Sequence, residues 1–190
     1  MIGTERLLIR RWEDRDRAPY HAIKRDPRVM ATLGPLQSRA ESDAVIDRLR
    51  AREAEWGYTF WPVERRSDGA LLGYCGLVHP PAGTPVDGEL EIGWGLGSAH
   101  WRQGYAREAA AAVLAWAWAN TTRDRVVAIT SLGNTASRGL MERLGMRRLA
   151  GGDFEHPELA AGDQLRPHLS YSIDRPAGLR ASAAPPTDAI

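Results

Sequence analysis

Apolar residues along the chain fall into short runs whose period changes, and the breaks between runs carry Gly, Pro and charge. Leu7-Leu8-Ile9 between arginines reads as a first β-strand. Asp14–Arg25 and Ser38–Trp56 read as two helices with polar faces. The second has a start signal: Ser38 as N-cap, Glu41 three residues later as capping-box partner, then Val45, Ile46 and Leu49 at helical spacing. Tyr58–Glu64 and Leu71–Val78 are apolar runs separated by a turn containing Asp68-Gly69, which predicts an antiparallel pair. His79–Gly88 is a loop, Glu89–Leu96 a strand, Gly97–Gly104 a connector and Tyr105–Asn120 an Ala-rich helix. Arg125–Thr130 is β-branched and predicts a strand. Thr135–Leu144 is a helix capped by Asn134 and stopped by Gly145. Met146–Leu149 and His168–Asp174 close the series as strands.

A meander followed by strand–helix–strand–helix units predicts the α/β class, here an α+β mixed sheet with helices over its faces. No internal repeat or boundary is visible, and 190 residues suit one domain, expected over 1–175. Residues 176–190, rich in Ala, Pro and Ser, are expected to form a disordered tail.

Composition narrows the function classes. Twenty-five basic residues against 24 acidic ones leave a net charge of +1, which argues against a nucleic-acid partner. The basic set is almost all arginine, Lys24 being the one lysine, and seven Trp stand against two Phe. A single cysteine, Cys75, excludes an intrachain disulfide and a cysteine-based zinc cluster. The histidines fall at no zinc-binding spacing, so no metal is expected. Without an apolar run long enough to span a bilayer or serve as a signal peptide, the chain is expected in the cytoplasm with no membrane partner.

The chemistry concentrates in Glu89–Ala111, where a strand ends and Arg102-Gln103-Gly104-Tyr105-Ala106 leads into a helix. The first turn of a helix offers unpaired N–H groups and partial positive charge, a site for phosphate. Gly104 permits a tight turn and close approach, Ala106 keeps that access open, and Arg102 and Arg107 add charge. Neither a dinucleotide fingerprint nor a P-loop is present. By itself such a junction is also a plain chain break before a helix.

Trp101-Arg-Gln-Gly-Tyr-Ala106 resembles the acyl-CoA pyrophosphate loop of the GNAT (GCN5-related N-acetyltransferase) superfamily. Glu91-Ile-Gly-Trp-Gly-Leu96 with Trp101-x-x-Gly-Tyr-Ala106 is similar to its RimJ/RimL-like branch. Further marks of that branch are Thr4–Arg10, Asp26-Pro-Arg-Val-Met30 and Asn134-x-x-Ser137-x-x-x-Met141-Glu-Arg-Leu-Gly-Met146, all in order from Thr4 to about Ile173. The resemblance implies a sheet of about seven strands, mostly antiparallel with a central splayed parallel pair, flanked by four or so helices.

It also implies roles. Amides from Arg102 through Gln103, Gly104 and Tyr105 to Ala106, with Arg107 nearby, would hold the pyrophosphate of acetyl-CoA. Main-chain groups near Trp94 and Leu96 would bind pantetheine, and Asn134 and Ser137 would reach pantetheine or the sulfur. The implied reaction is direct attack by a primary amine, on a protein N-terminus or a small molecule. Glu91 is the expected base, Glu89 its fallback on the same strand face. Many relatives carry a tyrosine acid where this chain has Met141, which cannot donate a proton, so Ser137 is the expected substitute. Homodimers are frequent in this branch. The competing class is an acyl-CoA-binding sensor or scaffold that has lost its chemistry, and Met141 is its main support. Cys75 reads as core, His156 as ordering a loop, and Trp12, Trp56 and Trp61 as packing residues.

Overall fold

Ser38 caps the longest helix as its sequence predicts. Ser38 Oγ accepts from Glu41 N–H at 3.2 Å, Glu41 returns a carboxylate to Ser38 N–H at 2.7 Å, and Gly57 at φ +77° ends the helix. The computed structural model describes residues 1–179, so most of the expected tail lies outside the described residues. Chain order is β1 (Ile2–Gly3), β2 (Leu7–Ile9), a 3₁₀ turn at Asp14–Asp16, α1 (Arg17–Lys24), α2 (Pro27–Met30), α3 (Arg39–Trp56), β3 (Phe60–Arg65) and β4 (Leu71–Val78). Then come β5 (Leu90–Leu96), a 3₁₀ turn at Ser98–His100, α4 (Tyr105–Asn120), β6 (Arg125–Ser131), α5 (Thr135–Arg143), β7 (Arg147–Arg148), β8 (Phe154–Glu155) and β9 (Pro167–Asp174).

The nine strands make one sheet in the order β1-β2-β3-β4-β5-β6-β9-β7, with β8 beside β9. This corrects the expected count of about seven. The additions are two-residue strands, β1 and β8, too short to show any period in sequence. Every ladder is antiparallel except β5–β6. That parallel ladder has two rungs only, Leu90↔Val126 and Glu91↔Val127. Beyond Glu91 the strands part and leave a wedge inside the sheet.

The two faces bury separate cores. On one, α4 sends Ala109, Ala110, Val113 and Ala117 onto Leu72, Leu77, Leu90 and Ile92. On the other, Tyr20, Ile23, Ile46 and Leu49 from α1 and α3 pack with Trp12 and Leu71. Arg10 joins the β2 end to the first turn by a buried fork onto both carboxylate oxygens of Asp16, each at 2.8 Å, and a 2.9 Å bond from Nε to Glu64. Cys75, Trp12 and Trp61 are buried, as read from sequence. No described helix is long and apolar enough to cross a membrane.

Candidate functional site

Glu91 forms the last rung before β5 and β6 separate, so its side chain stands at the apex of the wedge. A cavity of about 170 Å³ opens there, lined by Glu91, Ile92, Gly93 and Trp94 on one lip and by Ile129, Thr130, Asn134, Ser137 and Met141 on the other. Phe60, Tyr74 and Leu33 cover it from the α1–α3 side. Gly93 and Gly95 make this possible: a Cβ on Gly93 would lie 2.7 Å from the Phe60 ring, and one on Gly95 2.6 Å from the Tyr74 ring. Nothing in a one-dimensional pattern marks those two rings as cavity walls.

Glu91 is buried and pairs with no cation or donor among the described residues. Burial pushes its carboxyl up to about 8, a value suited to taking a proton near neutral pH. Glu89 precedes β5, half-buried, and lies outside the cavity lining. Asn134 Oδ1 accepts from Ser137 N–H at 3.1 Å, so the helix cap orients both polar residues of the opposite lip. Met141 is 2 % exposed and adds only an apolar wall. Cys75 is fully buried, and burial raises its thiol far above neutrality, so it supplies no thiolate.

The backbone of β5 has a definite direction. Gly97 N–H donates to Leu72 C=O at 2.9 Å, and alternation along the antiparallel ladder turns the N–H and C=O of Trp94 away from β4, into the gap. The Leu96 carbonyl faces the same way but is taken by the Trp101 indole N–H at 2.8 Å. Trp101 thereby folds the loop back onto the strand end. Arg102 takes φ +58° and Gly104 φ +82°, and the chain enters α4 with no side-chain cap. Among the described residues, the main-chain N–H groups from Arg102 to Ala106 have no partner. A Cβ on Gly104 would meet only Arg6 Nη2, at 3.3 Å. An anion therefore has a cradle of free donors with cations beside it, and the expected pyrophosphate fits it. Tyr105 is buried, with the Arg6 guanidinium 4.6 Å from its ring centroid, and Arg102 and Arg107 are exposed.

Sequence reading missed Arg6. It bonds Glu108 through Nε at 2.7 Å and the Gln103 carbonyl through Nη1 at 3.1 Å, bracing the loop from the far end of the chain. The His156 and His168 rings lie tilted 4.7 Å apart beside Phe154, and His156 N–H donates to Arg166 C=O at 2.8 Å, ordering the loop around β8.

Residues 6–147 match the family model described as an acetyltransferase (GNAT) domain. Among curated proteins, YkkB of Bacillus subtilis is 31 % identical over 146 residues, covering 76 % of this chain and 84 % of its own. Among solved structures, a GNAT-family acetyltransferase from Bacillus anthracis aligns with a TM-score of 0.74 at 25 % identity, covering 91 % and 97 % of the two chains. RimL, a ribosomal L7/L12 α-N-protein acetyltransferase solved with coenzyme A, shares the fold at 15 % identity, with a TM-score of 0.73 and coverage of 90 % and 95 %.

Proposed function

The chain belongs to the GNAT acetyltransferase family and is an acetyl-CoA-dependent acetyltransferase; from that premise we propose that it acetylates a primary amine, which attacks the thioester directly in the wedge between β5 and β6. The observation that carries this reading is the two-rung parallel ladder with a buried, unpaired carboxylate at its apex. Acetyl-CoA supplies the activated acetyl group. In our reading the amides of Arg102, Gln103, Gly104, Tyr105 and Ala106 hold its pyrophosphate, and the main-chain groups of Trp94 align pantetheine as an added strand would. The Trp94 N–H faces the developing oxyanion. Glu91 removes the proton of the attacking amine, directly or through water, and Ser137 returns one to the departing thiolate. Glu89, outside the cavity lining, is set aside as base.

We further take residues 1–175 as one catalytic domain, a reading supported by the continuous sheet from β1 to β9. The motifs favour the RimJ/RimL-like branch and hence an acceptor that is a protein N-terminus or a small amine. Assay of the purified chain with acetyl-CoA and an amine panel, following free thiol, tests the proposal. Turnover is expected. Stabilisation by acetyl-CoA in a thermal shift without turnover on any amine would leave an acyl-CoA-binding module instead. Absence of stabilisation by any acyl-CoA would overturn both readings.

A further inference from the structure

Strand alternation divides the cavity into two chemically unlike sides. On β5, Leu90 and Ile92 pack into the core under α4, so Glu91 and Gly93 face the other way. On β6, Val126 and Ala128 join that same core, so Thr130 shares their side and Ile129 shares the side of Glu91. Thr130, Asn134, Ser137 and Met141 therefore line one side. Glu91 stands on the opposite side among Phe60, Tyr74, Leu33 and Ile129.

The departing thiolate faces Ser137 in the reading above, so the acceptor comes in on the Glu91 side. That side is floored by rings. Phe60 pairs with Gly76 on β4 and reaches across it to lie on Gly93, and Tyr74 lies on Gly95 opposite it. Phe60, Tyr74 and Ile129 are only half-buried, although the residues after them on their strands are buried. Leu33, 41 % exposed, extends this apolar wall to the rim. The polar side-chain groups here are the Glu91 carboxylate and, at the far end over Gly95, the Tyr74 hydroxyl. No Lys, Arg or His lines the cavity, and Lys24 lies behind the Tyr74 ring, outside the lining.

We infer that the acceptor is a monoamine borne on an apolar group, alkyl or aromatic, and that Phe60 and Leu33 are the residues that select it. The nitrogen belongs at Glu91 and the hydrocarbon on the rings. An anionic group on the acceptor would meet Glu91 and no cation, and a second ammonium would meet no second carboxylate. A peptide amide next to the amine would lie at the Glu91 end without a side-chain donor. This rests on the amine-acetyltransferase reading above and adds the acceptor's chemical class to it.

The test measures kcat/KM with acetyl-CoA for linear alkylamines from methylamine to hexylamine and for phenethylamine. β-Alanine, 1,3-diaminopropane and glycinamide serve as the anionic, dicationic and amide arms. In the wild-type chain kcat/KM should rise about threefold to fourfold per methylene until the side is filled, the scale of burying one methylene. Phenethylamine should exceed each of the three polar arms by about tenfold or more. Phe60→Ser should lower the phenethylamine-to-methylamine ratio about tenfold, mainly through KM. Leu33→Asn changes an exposed rim residue that the fold does not depend on, and should lower the same ratio about threefold. Turnover that is flat with chain length, a wild-type preference for any polar arm, or a ratio unchanged in both variants overturns the inference and leaves amine acetylation intact. Calorimetric titration of phenethylamine into the CoA complex needs no chemistry. Binding there that Phe60→Ser weakens, without turnover of any amine, would uphold the apolar side and sink the amine-acetylation reading. Neither binding nor turnover would overturn both.

Discussion

Arg6 and Glu108, 102 positions apart, clasp each other through main chain and side chain: the Arg6 main-chain N–H meets Oε1 at 3.0 Å, and its Nε and Nη2 meet Oε2 at 2.7 and 2.6 Å. Thr4 Oγ1 adds a further bond to Glu108 at 2.6 Å. The clasp fixes the first turn of α4, and its free guanidinium arm holds the Gln103 carbonyl at 3.1 Å.

Arg6→Ala should therefore weaken CoA binding about threefold to tenfold while barely moving the melting temperature, because the arginine is largely solvated. Arg6→Lys should not restore affinity, since one ammonium cannot reach both partners as the fork does. Calorimetric titration of CoA beside a thermal melt checks both; a melt that falls as steeply as the affinity would make the clasp a structural tie alone.

Gly104→Glu should raise the Kd for CoA by about 100-fold or more, because a carboxylate would occupy the anion cradle and the backbone sits at φ +82°. Unchanged affinity would remove the loop from the cofactor site.

Glu91 sets a pH dependence whose sign follows from burial. Its folded pKa is raised from 4.5 to about 8, so the folded chain keeps a proton that the unfolded chain has lost between those values. Stability attributable to this group is full below about pH 4.5 and is lost as pH rises towards 8. In the proposed role of base it must be ionised, so kcat/KM should climb with pH up to the same upper value. Glu91→Gln should flatten the stability slope across that window and lower kcat by ~10²–10⁴. Denaturant melts at several pH values and a pH–rate profile read the two effects separately; a variant with wild-type turnover would free Glu91 from the chemistry.

Ser137→Ala should lower kcat by ~10², the low end for a proton donor because a thiolate leaves readily, with little change in CoA affinity. The Asn134 cap bond runs to the Ser137 main chain and survives the substitution. Single-turnover kinetics with the acetyl donor measure it, and an unchanged rate would return Ser137 to a packing role.

Local signals carried most of the fold. Ser38 with Glu41, Asp68-Gly69 and Asn134 each dictate a cap or turn through neighbouring atoms, and Tyr105–Asn120 appears at the bounds its composition implies. Glu91, Trp94, Asn134 and Ser137, singled out from separate motifs, line one cavity. Long-range geometry was not readable. Gly93 and Gly95 look like breaks in a strand until the Phe60 and Tyr74 rings are set over them, and Arg6 looks like a surface arginine until α4 arrives beside it. Lys24 sits in a polar helix by pattern, and only tertiary packing buries most of it.

The exclusive use of arginine outside that one buried site has a chemical consequence for a protein that handles an acyl thioester. Guanidinium groups stay protonated and are poor nucleophiles, whereas a free lysine amine is an acyl acceptor. With its one side-chain amine largely withdrawn from solvent, the molecule offers its own donor little to modify on its side chains.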